Sequence, residues 1–196
     1  MRLVLASQSP SRLMILRNAG VEPLQHPAHV DEDAIITSLS DASPATTVTT
    51  LARAKADAVA AKYPGDIVVG CDSMLLLGGT LQGKPHTVEE TIRRWKAQRG
   101  HTAELVTGHA IGFNGTWVVD TVSTRIRFGD VSDADIEAYA HSGEPLECAG
   151  AFTLEALGGW FIDSIEGDQT SVIGLSLPLL RRALYSFGVN ASDLWG

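Results

Sequence analysis

The sequence predicts a mixed α/β protein, and three observations carry that prediction. Short apolar runs that read as strands alternate along the chain with helices marked by their own capping residues. Two turn signals, Gly78-Gly79 and Asn114-Gly115, each join strand-like runs and demand antiparallel neighbours, so the sheet is mixed rather than purely parallel. No shift of composition separates one stretch from another, so residues 1–196 read as a single domain.

The elements follow in order. Leu3-Val4-Leu5-Ala6 reads as a buried strand. Ser9 and Pro10 fit the cap and first position of a helix that runs to about Ala19, with Gly20 as its terminator. Residues 21–42 read as irregular and hold the acidic run Asp31-Glu32-Asp33. Ser43-Pro44 repeats the start signal for a second helix, to about Tyr63, stopped by Pro64-Gly65. Residues 66–77, DIVVGCDSMLLL, read as a strand that returns through TLQGKP. Thr87 and Glu90 form a capping-box pattern for a third helix to about Gln98. Strands at 103–113 and 116–128 flank Asn114-Gly115, and Ser132 with Asp135 marks a fourth helix ending near Ser142-Gly143. Residues 146–154 and 159–165 read as short strands, and a last helix follows Ser176.

Composition narrows the function. At 44% hydrophobic and 19% charged the chain can build a sizeable core. A formal net charge of -8 argues against a broad grip on a nucleic acid polymer, which needs a basic face. It leaves room for a small anion held by a few local cations. Cys71 and Cys148 form no CxxC pair, so they read as thiols in a reducing cytoplasm. No basic and apolar leader opens the chain, and no apolar run is long enough to cross a bilayer; a soluble cytoplasmic protein without membrane contact is expected. Neither a GxxxxGK[ST] loop nor a GxGxxG fingerprint is present.

Five features need a reason. Arg12 falls at the third helical position, where the macrodipole is already positive and an exposed cation costs roughly 0.3–1 kcal/mol. An anion resting there reverses the sign, and Ser7, Ser9 and Ser11 add hydroxyls around the same turn. Lys55 lies on the apolar stripe of the second helix, between Leu51 and Val59. Asp72 interrupts the apolar run IVVGCDSMLLL, where a carboxylate needs cations, hydrogen bonds or a metal. Gly70 would relieve crowding on the same face. In Gly83-Lys84-Pro85 the proline restricts Lys84 to extended backbone and aims its charge. Asp31-Glu32-Asp33 is either a solvated run or a source of oxygen ligands for Mg²⁺. Three isolated cations and a helix N-terminus suit a polyphosphate, and Asp72 with Glu32 suits a metal ion and a water. Together they point to phosphoanhydride hydrolysis.

With those residues in place, the sequence resembles the Maf family, the septum-formation-inhibitor-like nucleotide pyrophosphatases. LASQSPSR looks like the family's LASxSPRR opening; VDE at 30–32, ARAKA around Lys55, GCDS at 70–73 and GKP at 83–85 follow in the family's order. So do RGH at 99–101, IEAYAHSGEP at 136–145, CAGAF at 148–152 and IEGDQTSVIGLSLP at 165–178. The resemblance implies a strongly twisted central sheet flanked by helices, with a cleft between two lobes. It implies release of a nucleoside monophosphate and pyrophosphate from a nucleoside triphosphate, with a divalent cation (Mg²⁺, Mn²⁺ or Co²⁺), and a homodimer. The family's proton acceptor falls on Asp72, its triphosphate-binding arginine on Arg12, its acidic partner on Glu32 and its lysines on Lys55 and Lys84. Glu32 and Asp72 are then the expected metal ligands. Attack of water at the α- or the β-phosphorus gives the same products.

Positions that choose the base depart from the family's patterns. Ser11 replaces a bulky residue of SPRR or SPWRR. Ser73 follows the catalytic position where thymidine/uridine-type members have Thr, and Glu155 stands where they have Gln. The 7-methyl-GTP-type members carry a glutamate at that last place but also a tryptophan near the start. The base is therefore open, and clearance of modified nucleotides is one role consistent with the family. A different class of function, a nucleotide-sensing regulator of cell division or septum formation without significant catalysis, is the alternative. A sugar-nucleotide enzyme using the same phosphate grip for transfer is a third.

Overall fold

The computed structural model describes residues 1–39 and 41–196. Along the chain run β1 (Leu3–Leu5), α1 (Pro10–Asn18), β2 (Leu24–Gln25), α2 (Glu32–Ser38), α3 (Pro44–Ala60), β3 (Ile67–Leu77) and β4 (Thr80–Gln82). Then come α4 (Val88–Gln98), β5 (Thr102–Phe113), β6 (Thr116–Phe128), α5 (Asp133–His141), β7 (Ile162–Glu166), α6 (Gln169–Ile173) and α7 (Leu177–Ser186). The strands order as β2-β1-β3-β5-β6-β7, with β4 on β3. The sheet is mixed: β1 lies parallel to β2 and β3, whereas β4 runs antiparallel on β3 and β7 antiparallel on β6. Both hairpin signals are turns, with positive φ at Gly78 and Gly79 (55° and 83°) and at Asn114 and Gly115 (48° and 81°). Among the described residues no helix is long and apolar enough to cross a membrane.

Contacts divide the chain into two compact units. One comprises Met1–Asp72, Thr107–Val122 and Gly174–Gly196; the other comprises Ser73–Val106 and Ser123–Ile173. In the first, α3 packs on the sheet through small residues: Ala52, Ala56 and Val59 meet Val4, Ala6, Val68 and Ala110. Gly70 makes this contact close, because a Cβ there would lie 2.3 Å from the Ala52 carbonyl oxygen. The second unit is built on Trp95, which is fully buried and stands edge-on to Phe128, Tyr139 and Phe161 at 5.5, 5.7 and 5.6 Å. Its indole N–H donates to the Ala151 carbonyl at 2.7 Å, so the polar atom of this buried side chain is satisfied.

Several elements differ from the sequence reading. The stretch 21–42 is not wholly irregular: it contains β2 and α2. No residue of α2 is buried, so it carries no apolar stripe; it starts because the Asp31 carboxylate caps the Ala34 amide at 3.0 Å. Residues 146–154 form no strand. Two 3₁₀ turns occupy Glu144–Glu147 and Ala149–Ala151, and positive φ at Gly143, Gly150 and Ala151 (79°, 71° and 60°) breaks any extended run. The 159–165 strand begins later, as β7, after a 3₁₀ turn at Leu157–Phe161. The second helix stops at Ala60, three residues before the expected Tyr63. At α4, Thr87 caps the Glu90 amide at 3.2 Å, while the Glu90 carboxylate is bound by Arg93 and Arg94.

Candidate active site

In the first unit, β1 leads through a polar loop into α1. Ser9 caps the helix, accepting from the Arg12 amide at 3.4 Å, and Pro10 takes the first position, where its missing N–H costs nothing. Ser7 is buried, and its Oγ accepts from the Ser9 amide (3.1 Å) and from Arg12 Nη1 (3.2 Å), which leaves its hydroxyl hydrogen to donate elsewhere. Arg12 Nε donates to the Gly174 carbonyl at 2.7 Å. The guanidinium is thus tied over the start of α1 rather than released to solvent, which keeps two positive features, the arginine and the helix N-terminus, at one place. Ser11 is half-buried on the same turn.

Lys55 is where its helical phase predicts, on the sheet-facing side of α3, with its side chain 11% exposed. Its Nζ donates to Asp72 Oδ1 at 2.7 Å and lies 3.1 Å from Glu32 Oε1. Asp72 sits on β3 and is 9% exposed in its side chain. The close packing allowed by Gly70 is what lets a strand carboxylate and a helix ammonium meet here. Glu32 is delivered by α2, the helix absent from the sequence reading. The acidic run therefore divides: Asp31 caps, Glu32 turns to the lysine and Asp33 is exposed.

Burial is the largest influence on Asp72 and pushes its proton affinity up; the Lys55 charge and hydrogen bond, and the Arg12 charge, pull the other way without cancelling it, and Glu32 adds to the rise. One carboxylate oxygen, Oδ2, is buried and has no hydrogen-bond partner among the described residues. An orphaned anionic acceptor in such a place is costly unless something else uses it. Next to it, burial pushes the Cys71 thiol up to about 11, so this cysteine is a neutral packing group. Among the described residues no group of three or more His, Cys, Asp or Glu side chains is placed to hold a metal ion. The donor set that exists is two carboxylates, Asp72 with its orphaned oxygen and half-exposed Glu32. That fits a Mg²⁺-like cation completed by water and substrate phosphates rather than an all-protein cage.

The remaining candidates belong to the second unit. Ser73 continues β3, half-buried. Lys84 follows β4 and pairs with Glu147 at 3.2 Å, a partner that His86 shares at 3.1 Å. Glu155 is exposed in the loop before the Leu157–Phe161 turn, and its carboxylate accepts from the Leu154 amide at 3.0 Å. A carboxylate without a motif of its own in the sequence is heavily bonded in this unit. Glu144 accepts from Tyr139 Oη, Thr153 Oγ1 and the amides of Leu157 and Gly158. Its only local signal is an acid between glycine and proline in SGEP, which looks like an ordinary turn.

A mixed α/β fold with an arginine-bearing helix start beside a buried lysine–carboxylate cluster defines the class: an α/β protein equipped to handle phosphate. The comparisons make it specific. A family model described as Maf-like protein matches residues 2–187. The chain is 71% identical to a nucleoside triphosphate pyrophosphatase of Corynebacterium efficiens and 67% identical to one of Corynebacterium glutamicum strain R, over 100% of this chain and 99% of each relative. A nucleoside triphosphate pyrophosphatase of Nocardia farcinica is 54% identical, over 98% of this chain and 96% of the relative. The chain belongs to the Maf family.

Proposed function

We propose that this protein hydrolyses nucleoside triphosphates to the monophosphate and pyrophosphate, a reading supported by the name its relatives carry, nucleoside triphosphate pyrophosphatase. The observation that carries the reading is the buried Lys55 ammonium between two carboxylates, one of which keeps an unpartnered oxygen. A structural ion pair gains nothing from that orphan, whereas a proton acceptor requires it. Asp72 takes the proton of an attacking water; the water oxygen bonds to the α-phosphorus, and the bridging oxygen departs with pyrophosphate. Arg12, Lys55 and the first-turn amides and hydroxyls at Ser7, Ser9 and Ser11 bind the triphosphate oxygens, and Lys84, in the second unit, stands at the position of the family's other phosphate-binding lysine. Glu32 and Asp72 would hold a divalent cation, Mg²⁺, Mn²⁺ or Co²⁺, which when bound supplies charge neutralisation for the phosphates. Ser11, Ser73 and Glu155 are the positions assigned to the base. The setting we infer is the soluble nucleotide pool of the cytoplasm, including modified nucleotides, with the protein as a homodimer.

The test is a screen of the purified protein against ordinary and modified triphosphates with each of the three cations. Equimolar monophosphate and pyrophosphate are expected. Orthophosphate as the product would overturn the reading, and tight nucleotide binding without any turnover would favour a nucleotide-sensing regulator instead.

A further inference from the structure

Glu144 presents an arrangement that the proposed chemistry does not use. Its Oε1 accepts from Tyr139 Oη (3.1 Å), from the Gly158 amide (3.1 Å) and from Thr153 Oγ1, and its Oε2 accepts from the Leu157 amide (3.1 Å). The donors are not scattered. Thr153 and Leu157-Gly158 are the two ends of one short loop, and Leu154, Glu155 and Ala156 are all that lies between them. The closure is reinforced on both sides. Tyr139 Oη accepts from the Thr153 amide at 3.1 Å, and Thr153 Oγ1 accepts from the Gly158 amide at 3.3 Å. Gly158 sits so close that a Cβ would lie 2.4 Å from the Thr153 carbonyl oxygen and 2.6 Å from Tyr139 Oη. One carboxylate therefore pins both feet of a loop whose tip carries Glu155. Tyr139, the third anchor, is itself packed edge-on against buried Trp95, so the clamp is referred to the rigid core of its unit.

Charge-assisted bonds of this kind are about twice as strong as neutral ones, and an amide in place of the carboxylate cannot accept all four. Burial opposes the Glu144 charge, yet the bonds from Thr153, Gly158, Leu157 and Tyr139 hold its carboxyl below the ordinary range. The acceptor stays ionised at neutral pH, as a clamp must.

From this geometry we infer that Glu144 is a positioning residue for base selection: by closing the 153–158 loop it fixes the direction in which Glu155 offers its carboxylate to the nucleobase. The inference rests on the proposed function only in taking Glu155 as a base contact. It concerns discrimination between bases and not bond cleavage.

The experiment compares wild type, Glu144→Gln, Glu155→Gln and the double variant on the eight common ribo- and deoxyribonucleoside triphosphates. Glu144→Gln is expected to raise KM for the preferred triphosphate roughly tenfold, to change kcat less than threefold and to flatten the preference among bases. In the Glu155→Gln background the same substitution is expected to leave the base preference unchanged. A Glu144→Gln enzyme with wild-type base preference, or one whose loss is the same whether or not Glu155 is present, overturns the inference. If Glu144→Gln fails to fold, Thr153→Val removes one foot of the clamp and is held to the same outcomes. Should wild type show no turnover, the proposed function fails by itself, and the clamp is judged on two other readouts. These are the affinity ratios for the same nucleotides and hydrogen exchange at the Leu157 and Gly158 amides, which must quicken in Glu144→Gln.

Discussion

Two carboxylates in this molecule are treated in opposite ways. Glu144, in the second unit, accepts from four donors, and its proton affinity is held down against the pull of burial. Asp72, in the first, is taken out of water with one oxygen bonded to Lys55 and the other orphaned, and burial keeps its proton affinity raised. Satisfied, a carboxylate serves the fold: it organises the backbone around it and gives nothing away. Left unsatisfied, it costs the fold stability and stays available to a proton, a cation or a water. The difference lies in the surroundings, since the ionisable group is chemically the same.

The contrast can be pressed by substitution. Asp72→Asn keeps size and removes the proton acceptor, and pyrophosphate release should fall on the order of 10³-fold while nucleotide binding persists. Steady-state kinetics beside a binding titration measures both, and near-wild-type turnover would place Asp72 with Glu144 among structural groups. Gly70→Ala acts on the packing beneath the site. With 2.3 Å to the Ala52 carbonyl, α3 must move away from β3, at about 1–3 kcal/mol of stability, and Lys55 moves with it. Denaturant unfolding and KM for the triphosphate should both worsen.

The smallest effect lies in the acid limb of stability. Hydrogen bonds from Arg93 and Arg94 hold Glu90 at about 2, below its ordinary 4.5, so its contribution is complete above 4.5 and is lost as pH falls through about 2. Asp72 has the opposite sign: its raised proton affinity means that acidification relieves a cost. Glu90→Gln should therefore flatten the fall of stability below pH 4.5 while changing the neutral midpoint by no more than an exposed pair warrants, under about 1 kcal/mol.

Much of this was legible beforehand, for identifiable reasons. Lys55 and Asp72 stood out because each breaks an apolar pattern, and Gly70 because a glycine inside such a strand marks close approach. The caps at Ser9, Ser43, Ser132 and Ser176 all function as read. The elements that the sequence does not announce lack periodicity. α2 is short and buries nothing, so no stripe announces it. The 3₁₀ turns around Gly143 and Gly150 depend on positive φ, while their apolar residues imitate a strand. Glu144 was invisible because its four partners come from Tyr139 and from residues 9–14 positions further along, joined only when the chain folds.

The central claim is that the Lys55–Asp72 pair exists for chemistry at the expense of the fold. Removing Lys55 alone, as Lys55→Met, strands a buried carboxylate and should cost about 3–5 kcal/mol. The decisive measurement is the thermal unfolding midpoint of Lys55→Met/Asp72→Val against wild type at neutral pH, with pyrophosphate release followed on the same samples. A midpoint equal to or above wild type with turnover abolished is the predicted result. A midpoint well below wild type with turnover retained would show that the pair holds the protein together and performs no catalysis.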